Sequence, residues 1–210
     1  MAVLASETGD GMTLDAPLTT GRNLDNGAGG SGTRAWADTG DYIKSNGSNG
    51  FMADVESGKA LVSMGSSINA KARVAFTMSA GCNICVVGRK VDASAAVDDN
   101  CLLALLMGTT SLRIREYTVN TDHENLTISA LSTGTQYWLE LEVNGTLITA
   151  RVLNSGLTAR DTVSHTLASP PTGVYWGFGF FFGGTTAVLD TFVVEDVPAV
   201  VARRPVVVIM

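Results

Sequence analysis

The sequence predicts an all-β fold made of two packed antiparallel sheets. Period-two alternation of apolar and polar residues recurs along most of the chain, and no window sustains the three-to-four-residue spacing of an amphipathic helix. The 23 glycines fall mainly between the alternating segments, where turns require positive φ. A chain of 210 residues fits one large sandwich domain, since such units often run to ~200–250 residues.

Residues 1–35 are rich in Gly, Thr, Asn and Asp and are expected to form an N-terminal arm with loose packing, including the loop Asn26-Gly-Ala-Gly-Gly-Ser-Gly32. Short strands are expected to begin near Trp36 and Tyr42. Further strands are expected at 51–55, 60–64, 71–78, 84–90, 101–107, 111–116, 125–131, 136–144, 146–153, 163–167, 175–182 and 187–195. Many short strands in close succession indicate a sandwich or barrel. The expected sandwich spans 36–197, and 198–210 form an apolar tail.

One hairpin is legible in detail. Tyr137-Trp-Leu-Glu-Leu-Glu-Val143 alternates, Asn144-Gly145 follows, and Thr146-Leu-Ile-Thr-Ala-Arg-Val152 alternates again. Asn-Gly favours a two-residue type I′ turn. That turn opposes Val143 with Thr146, Leu141 with Ile148 and Leu139 with Ala150 on the core face. On the outer face it opposes Glu142 with Leu147, Glu140 with Thr149 and Trp138 with Arg151, so that Arg151 is expected to stack on the indole.

Composition excludes several classes of function. The formal net charge is −6 and the isoelectric point about 4.8, so phosphate backbones are repelled and no nucleic acid partner is expected. The longest apolar run, Cys101-Leu-Leu-Ala-Leu-Leu-Met107, falls far short of the ~20 residues that span a bilayer. Residues 1–11 have neither the basic nor the apolar region of a signal peptide. Synthesis in a cytoplasm is therefore expected, and three cysteines agree with a reducing compartment.

Residues that suggest chemistry have plainer readings. Glu140 and Glu142 are the acid/base candidates, but they read as a solvated outer strand face. Cys82-Asn-Ile-Cys85 has metal-knuckle spacing, with Cys101 as a third thiol, yet no second pair follows and buried reduced thiols are expected. His123 and His165 are far apart in sequence. Ser164 and His165 are adjacent on a strand and point to opposite faces, which rules out a hydrolase pair. Asp98-Asp99-Asn100 reads as an acidic turn. No catalytic residue, cofactor or metal is expected. In Tyr175-Trp-Gly-Phe-Gly-Phe-Phe-Phe182, Trp176, Phe178, Phe180 and Phe182 are expected in the core. Tyr175, Gly177, Gly179 and Phe181 are expected on a covered face.

The hairpin 137–152, with its Trp-Leu-x-Leu-x-Val-x-Gly pattern, resembles that of concanavalin A-like (lectin/glucanase, laminin-G-like) domains. Leu189-Asp190-Thr-Phe192-Val-Val-Glu-Asp196 resembles their closing strand, and Trp36 with Asp38-Thr-Gly-Asp-Tyr-Ile43 resembles their opening strand. Val87-Gly-Arg89, Cys101-Leu-Leu-Ala-Leu-Leu106 and Leu112-Arg-Ile114 resemble the middle strands. The resemblance implies a two-sheet jelly roll over 36–197. Glycosidases of that fold carry Glu-x-Asp-x-x-Glu on one strand. Here Glu140-Leu-Glu142-Val-Asn144-Gly145 lacks the Asp and the distal Glu, so the expectation is not an enzyme.

The ending Arg203-Arg-Pro-Val-Val207 is similar to endings of phage structural proteins. The first functional expectation is therefore a non-enzymatic virion protein, a head decoration or tail-associated protein that contacts a major capsid protein. It would form a homo-oligomer, a trimer being one such closed arrangement. The alternative is a carbohydrate-binding module that attaches to a surface glycan. The interaction residues expected are Trp138, Arg151, Tyr175, Val206, Val207, Val208 and Ile209.

Overall fold

The structure is a computed structural model. It describes residues 3–7, 36–38, 43–45, 51–53, 59–66, 68–93, 100–181 and 187–197. Every regular element among them is a strand. They are β1 (Val3–Glu7), β2 (Trp36–Asp38), β3 (Ile43–Ser45), β4 (Phe51–Ala53), β5 (Lys59–Ser63), β6 (Ala70–Thr77), β7 (Asn83–Lys90) and β8 (Leu102–Met107). Then come β9 (Ser111–Glu116), β10 (Thr121–Thr127), β11 (Gln136–Asn144), β12 (Leu147–Asn154), β13 (Ala159–Thr166), β14 (Tyr175–Phe180) and β15 (Val188–Asp196).

These strands form two sheets. The eight-stranded sheet runs β13-β12-β11-β6-β15-β4-β3, with β1 also pairing with β15. The seven-stranded sheet runs β10-β9-β8-β7-β14-β5-β2. The chain passes repeatedly from one sheet to the other, for example from β6 to β7 and from β14 to β15, which is the wrapping of a jelly roll.

Alternation places the core. Ala72, Val74 and Phe76 of β6, Leu139, Leu141 and Val143 of β11, and Ile148, Ala150 and Val152 of β12 point inward from the eight-stranded sheet and are buried. They meet Ile84, Val86, Leu102, Ala104, Leu106, Trp176, Phe178 and Phe180 from the seven-stranded sheet. The latter sheet is apolar on its other face too. Leu61, Cys85, Val87, Leu103, Leu105 and Phe181 form a second buried cluster, with Tyr175 packed against it. A strand covered on both faces reads as an unbroken apolar run, which is how 101–107 reads. Phe182 lies outside the described residues.

The segment 1–35 contains β1, a strand not expected from the loop-like composition. Two edge strands also differ from expectation. β10 occupies 121–127 rather than 125–131, and β13 begins at Ala159 rather than Val163.

The turn sits one residue later than expected, which moves each cross-strand partner by two residues. Asn144 pairs with Leu147, Val143 with Ile148, Leu141 with Ala150, Glu140 with Arg151 and Trp138 with Leu153. The loop is therefore Gly145-Thr146, with glycine at φ 61° in the first central position, the arrangement of a type II′ turn. The reason lies outside the hairpin. Asn69 Oδ1 accepts the Gly145 N–H at 2.9 Å, and Arg89 of the opposite sheet donates Nη2 to Asn69 Oδ1 at 2.9 Å and Nη1 to the Gly145 carbonyl at 3.4 Å. The faces are unchanged by the shift, so Leu139, Leu141, Val143, Ile148, Ala150 and Val152 remain in the core.

Candidate functional site

The outer face of the eight-stranded sheet carries a network of charges across β12, β11, β6 and β15. Alternation along Ala70-Lys-Ala-Arg-Val74 turns Lys71 and Arg73 outward, as it does Glu140 and Glu142 on β11. Registry then sets Glu140 beside Arg151 on one side and Arg73 on the other, with Glu142 beside Lys71. Arg151 Nη1 donates to Glu140 Oε1 and to Glu142 Oε2, both at 2.7 Å. Arg73 forms a two-pronged pair with Glu195 of β15, at 2.7 and 2.8 Å. Lys71 Nζ lies 3.2 Å from Glu195 and 3.8 Å from Glu140. The Arg73 guanidinium also lies over the Trp138 ring, 5.6 Å from its centroid.

Two sequence expectations are corrected here. Arg151 does not stack on Trp138, because the register shift places it opposite Glu140; Arg73 takes the indole instead. Nor is Glu140 a solvated surface residue. It is 4% exposed, because cations on both neighbouring strands close over it. Glu142 keeps a partly open carboxylate. The Arg73 side chain and its hydrogen bonds hold the Glu195 carboxyl below the usual carboxylate range, with Lys71 acting in the same direction.

Above this network lies a depression of ≈ 280 Å³, lined by Lys71, Arg73, Glu140, Glu142, Arg151, Leu153, Leu157 and Ala159. One side is ionic and the other aliphatic. Lys71, Arg73, Glu195, Leu153 and Leu157 were not expected to take part. The alternation of 70–74 signalled the first two, while nothing in the sequence singled out Leu157.

The remaining expected residues are placed as follows. Tyr175 packs partly buried on the second apolar cluster, away from the depression. Val206, Val207, Val208 and Ile209 lie outside the described residues, as do Asp98 and Asp99. Cys82 sits in the main core while Cys85 and Cys101 sit in the second cluster, so the three thiols occupy opposite faces of one sheet. Burial pushes the Cys82 thiol up to about 12, which makes it unreactive.

His123 and His165, far apart in sequence, meet at the sandwich edge where β10 faces β13. Their rings stack with centroids 4.7 Å apart. His123 Nε2 lies 2.8 Å from Glu116, and His165 Nδ1 lies 3.0 Å from Glu124. Ser164 points away to Thr149, so no Ser–His pair forms.

No family model and no curated protein matches the chain. Solved structures do. The exoplasmic/lumenal domain of VIP36 in its metal-free form has a TM-score of 0.59 at 11% identity, over 94% of this chain and 95% of that one. Carbohydrate-binding module CBM66 from Bacillus subtilis has a TM-score of 0.50 at 11% identity, over 89% and 94%. Lectin II from Ulex europaeus has a TM-score of 0.51 at 6% identity, over 74% and 90%. At such identities the likeness is one of fold. The chain has the fold of a two-sheet antiparallel jelly roll of concanavalin A-like architecture.

Proposed function

We propose that the chain is a carbohydrate-binding domain that acts by recognition rather than catalysis, with its ligand on the outer face of the eight-stranded sheet. The observation that carries this reading is the depression over β11, β12 and β6. It joins paired carboxylates and guanidinium groups, which suit neighbouring sugar hydroxyls, to an aliphatic wall, which suits the C–H face of a ring. Arg151 uses Nη1 for both carboxylates, and Nη2 and Nε bond to no described residue, so donors remain available. The fold gives further support. VIP36 has been solved in a form bound to calcium and Man3GlcNAc, and CBM66 is a carbohydrate-binding module.

The same geometry supports recognition without catalysis. A glycosidase needs one carboxyl to give a proton and another to attack or activate water. Here Glu140 and Glu142 both accept from a single nitrogen of Arg151, and Glu140 is closed to solvent. The virion reading relied in part on residues 198–210, which are outside the described residues, and the site adds nothing to it.

The test is affinity electrophoresis of the purified protein through polysaccharides, alongside Arg151→Met. Wild type should be retarded by at least one polysaccharide, without release of reducing ends. Arg151→Met should weaken that retardation about ten-fold, the loss of roughly one charge-assisted hydrogen bond. Full retardation of a folded Arg151→Met would place the ligand elsewhere.

A further inference from the structure

We infer that the depression selects an uncharged pyranose whose C–H face rests on Leu157, which makes Leu157 the residue that sets specificity. This rests on the carbohydrate-binding reading above and narrows its ligand class.

Two observations carry the inference. The first is charge. The cations at the depression are Lys71, Arg73 and Arg151. They are matched by Glu140 and Glu142 in the lining and by Glu195, which holds both Arg73 and Lys71. Three positive and three negative groups leave no surplus to neutralise a uronate or phosphate. The polar side therefore suits hydroxyls, which both donate and accept.

The second observation is Leu157 itself. Its φ is +62°, the left-handed region that an L-residue with a branched side chain enters only under strain. The turn between β12 and β13 enforces it. Asn154 N–H donates to the Thr158 carbonyl at 3.0 Å, Leu157 N–H to the Asn154 carbonyl at 3.0 Å, and Thr158 N–H to Asn154 Oδ1 at 2.9 Å. Glycine would fit that backbone without strain. Packing does not account for the leucine either, because it is 47% exposed. A strained apolar side chain held open at the rim of a polar depression, beside Leu153 and Ala159, forms a platform for a ligand. A sugar ring seated there keeps its hydroxyl edge toward Arg151 and Glu142.

The experiment compares wild type with Leu157→Gly in two ways. Thermal unfolding reads the structural role, and affinity electrophoresis reads the ligand. The probes are four neutral polysaccharides (dextran, laminarin, mannan and galactan) and two acidic ones (alginate and polygalacturonate). The expected result is retardation of wild type by a neutral probe and by neither acidic one. Leu157→Gly should need about ten-fold more of the neutral probe for half-retardation, while its unfolding midpoint stays equal or rises. A purely structural leucine would lower the midpoint on replacement and leave retardation alone. Retardation by alginate or polygalacturonate, or equal retardation of Leu157→Gly, overturns the inference and leaves carbohydrate binding standing. No retardation by any of the six overturns both.

Discussion

Replacing Glu140 with glutamine keeps the side-chain size and removes the charge at the centre of the β12–β11–β6 network. Glu140 accepts a 2.7 Å bond from Arg151 and lies 3.8 and 4.0 Å from Lys71 and Arg73. A charge-assisted bond of the first kind contributes about 1.5–3 kcal/mol. The two longer contacts add little, because Lys71 and Arg73 both retain Glu195 as a partner. Glutamine recovers part of the loss, since it costs less to desolvate and still accepts from Arg151. The net destabilisation should be about 2 kcal/mol, because the change leaves three partly buried cations to share two carboxylates. With a urea m-value of roughly 2–3 kcal/mol/M for a domain of this size, the midpoint should fall by nearly 1 M at unchanged m. Glu142→Gln is the internal control. Its carboxylate is partly open to water and makes one 2.7 Å bond, so a loss of about 0.5–1 kcal/mol is expected. Equal effects of the two substitutions, or a Glu140→Gln loss below about 0.5 kcal/mol, would refute the reasoning. The network would then be an ordinary set of solvated surface pairs.

Two further outcomes follow from the structure. Glu195 has its folded-state pKa depressed by Arg73 and Lys71. Its contribution is therefore present above the ordinary carboxylate value and lost as pH falls through the folded value. Denaturation midpoints should hold steady from neutral pH to about pH 5 and drop below it, and Glu195→Gln should show a shallower acid loss. A β-carbon at Gly88 would lie 2.8 Å from Leu141 Cδ2 and 2.9 Å from Trp176 Cζ3. Gly88→Ala should cost about 1–3 kcal/mol through overpacking and shift the emission of the buried Trp176; wild-type stability would show that the two sheets have room to separate there.

The sandwich was legible because most of its strands face a core on at least one side. β9, β11 and β12 alternate since one face is buried, and β8 reads as a run since both are. The misplaced strands are held to the core more weakly, through Leu126 of β10 and Val163 of β13, both only partly buried. β10 and β13 are edge strands of Thr121-Asp-His-Glu-Asn-Leu-Thr127 and Ala159-Arg-Asp-Thr-Val-Ser-His-Thr166. An edge lined with charge and hydroxyls discourages pairing with another chain, and the same polarity erases the alternation by which a strand is read. Their two histidines meet through the closure of the sandwich, a long-range contact with no local trace.

The site was legible in part for a different reason. Alternation identifies which residues share a face, and it placed Glu140, Glu142, Trp138 and Arg151 together correctly. Pairing across a face depends on register, and register here is set by the turn. Asn144-Gly145 reads locally as the centre of a type I′ loop. A hydrogen bond from the Gly145 N–H to the Asn69 side chain, itself held by Arg89 of the other sheet, selects Gly145-Thr146 instead. Moving the turn by one residue shifts the partners by two, which takes Arg151 from the indole of Trp138 to the carboxylate of Glu140. It turns an expected stacking contact into the ionic floor of the depression, and it frees Trp138 for Arg73. The contact between the two sheets at Arg89 thus decides the chemistry of a surface formed by only one of them.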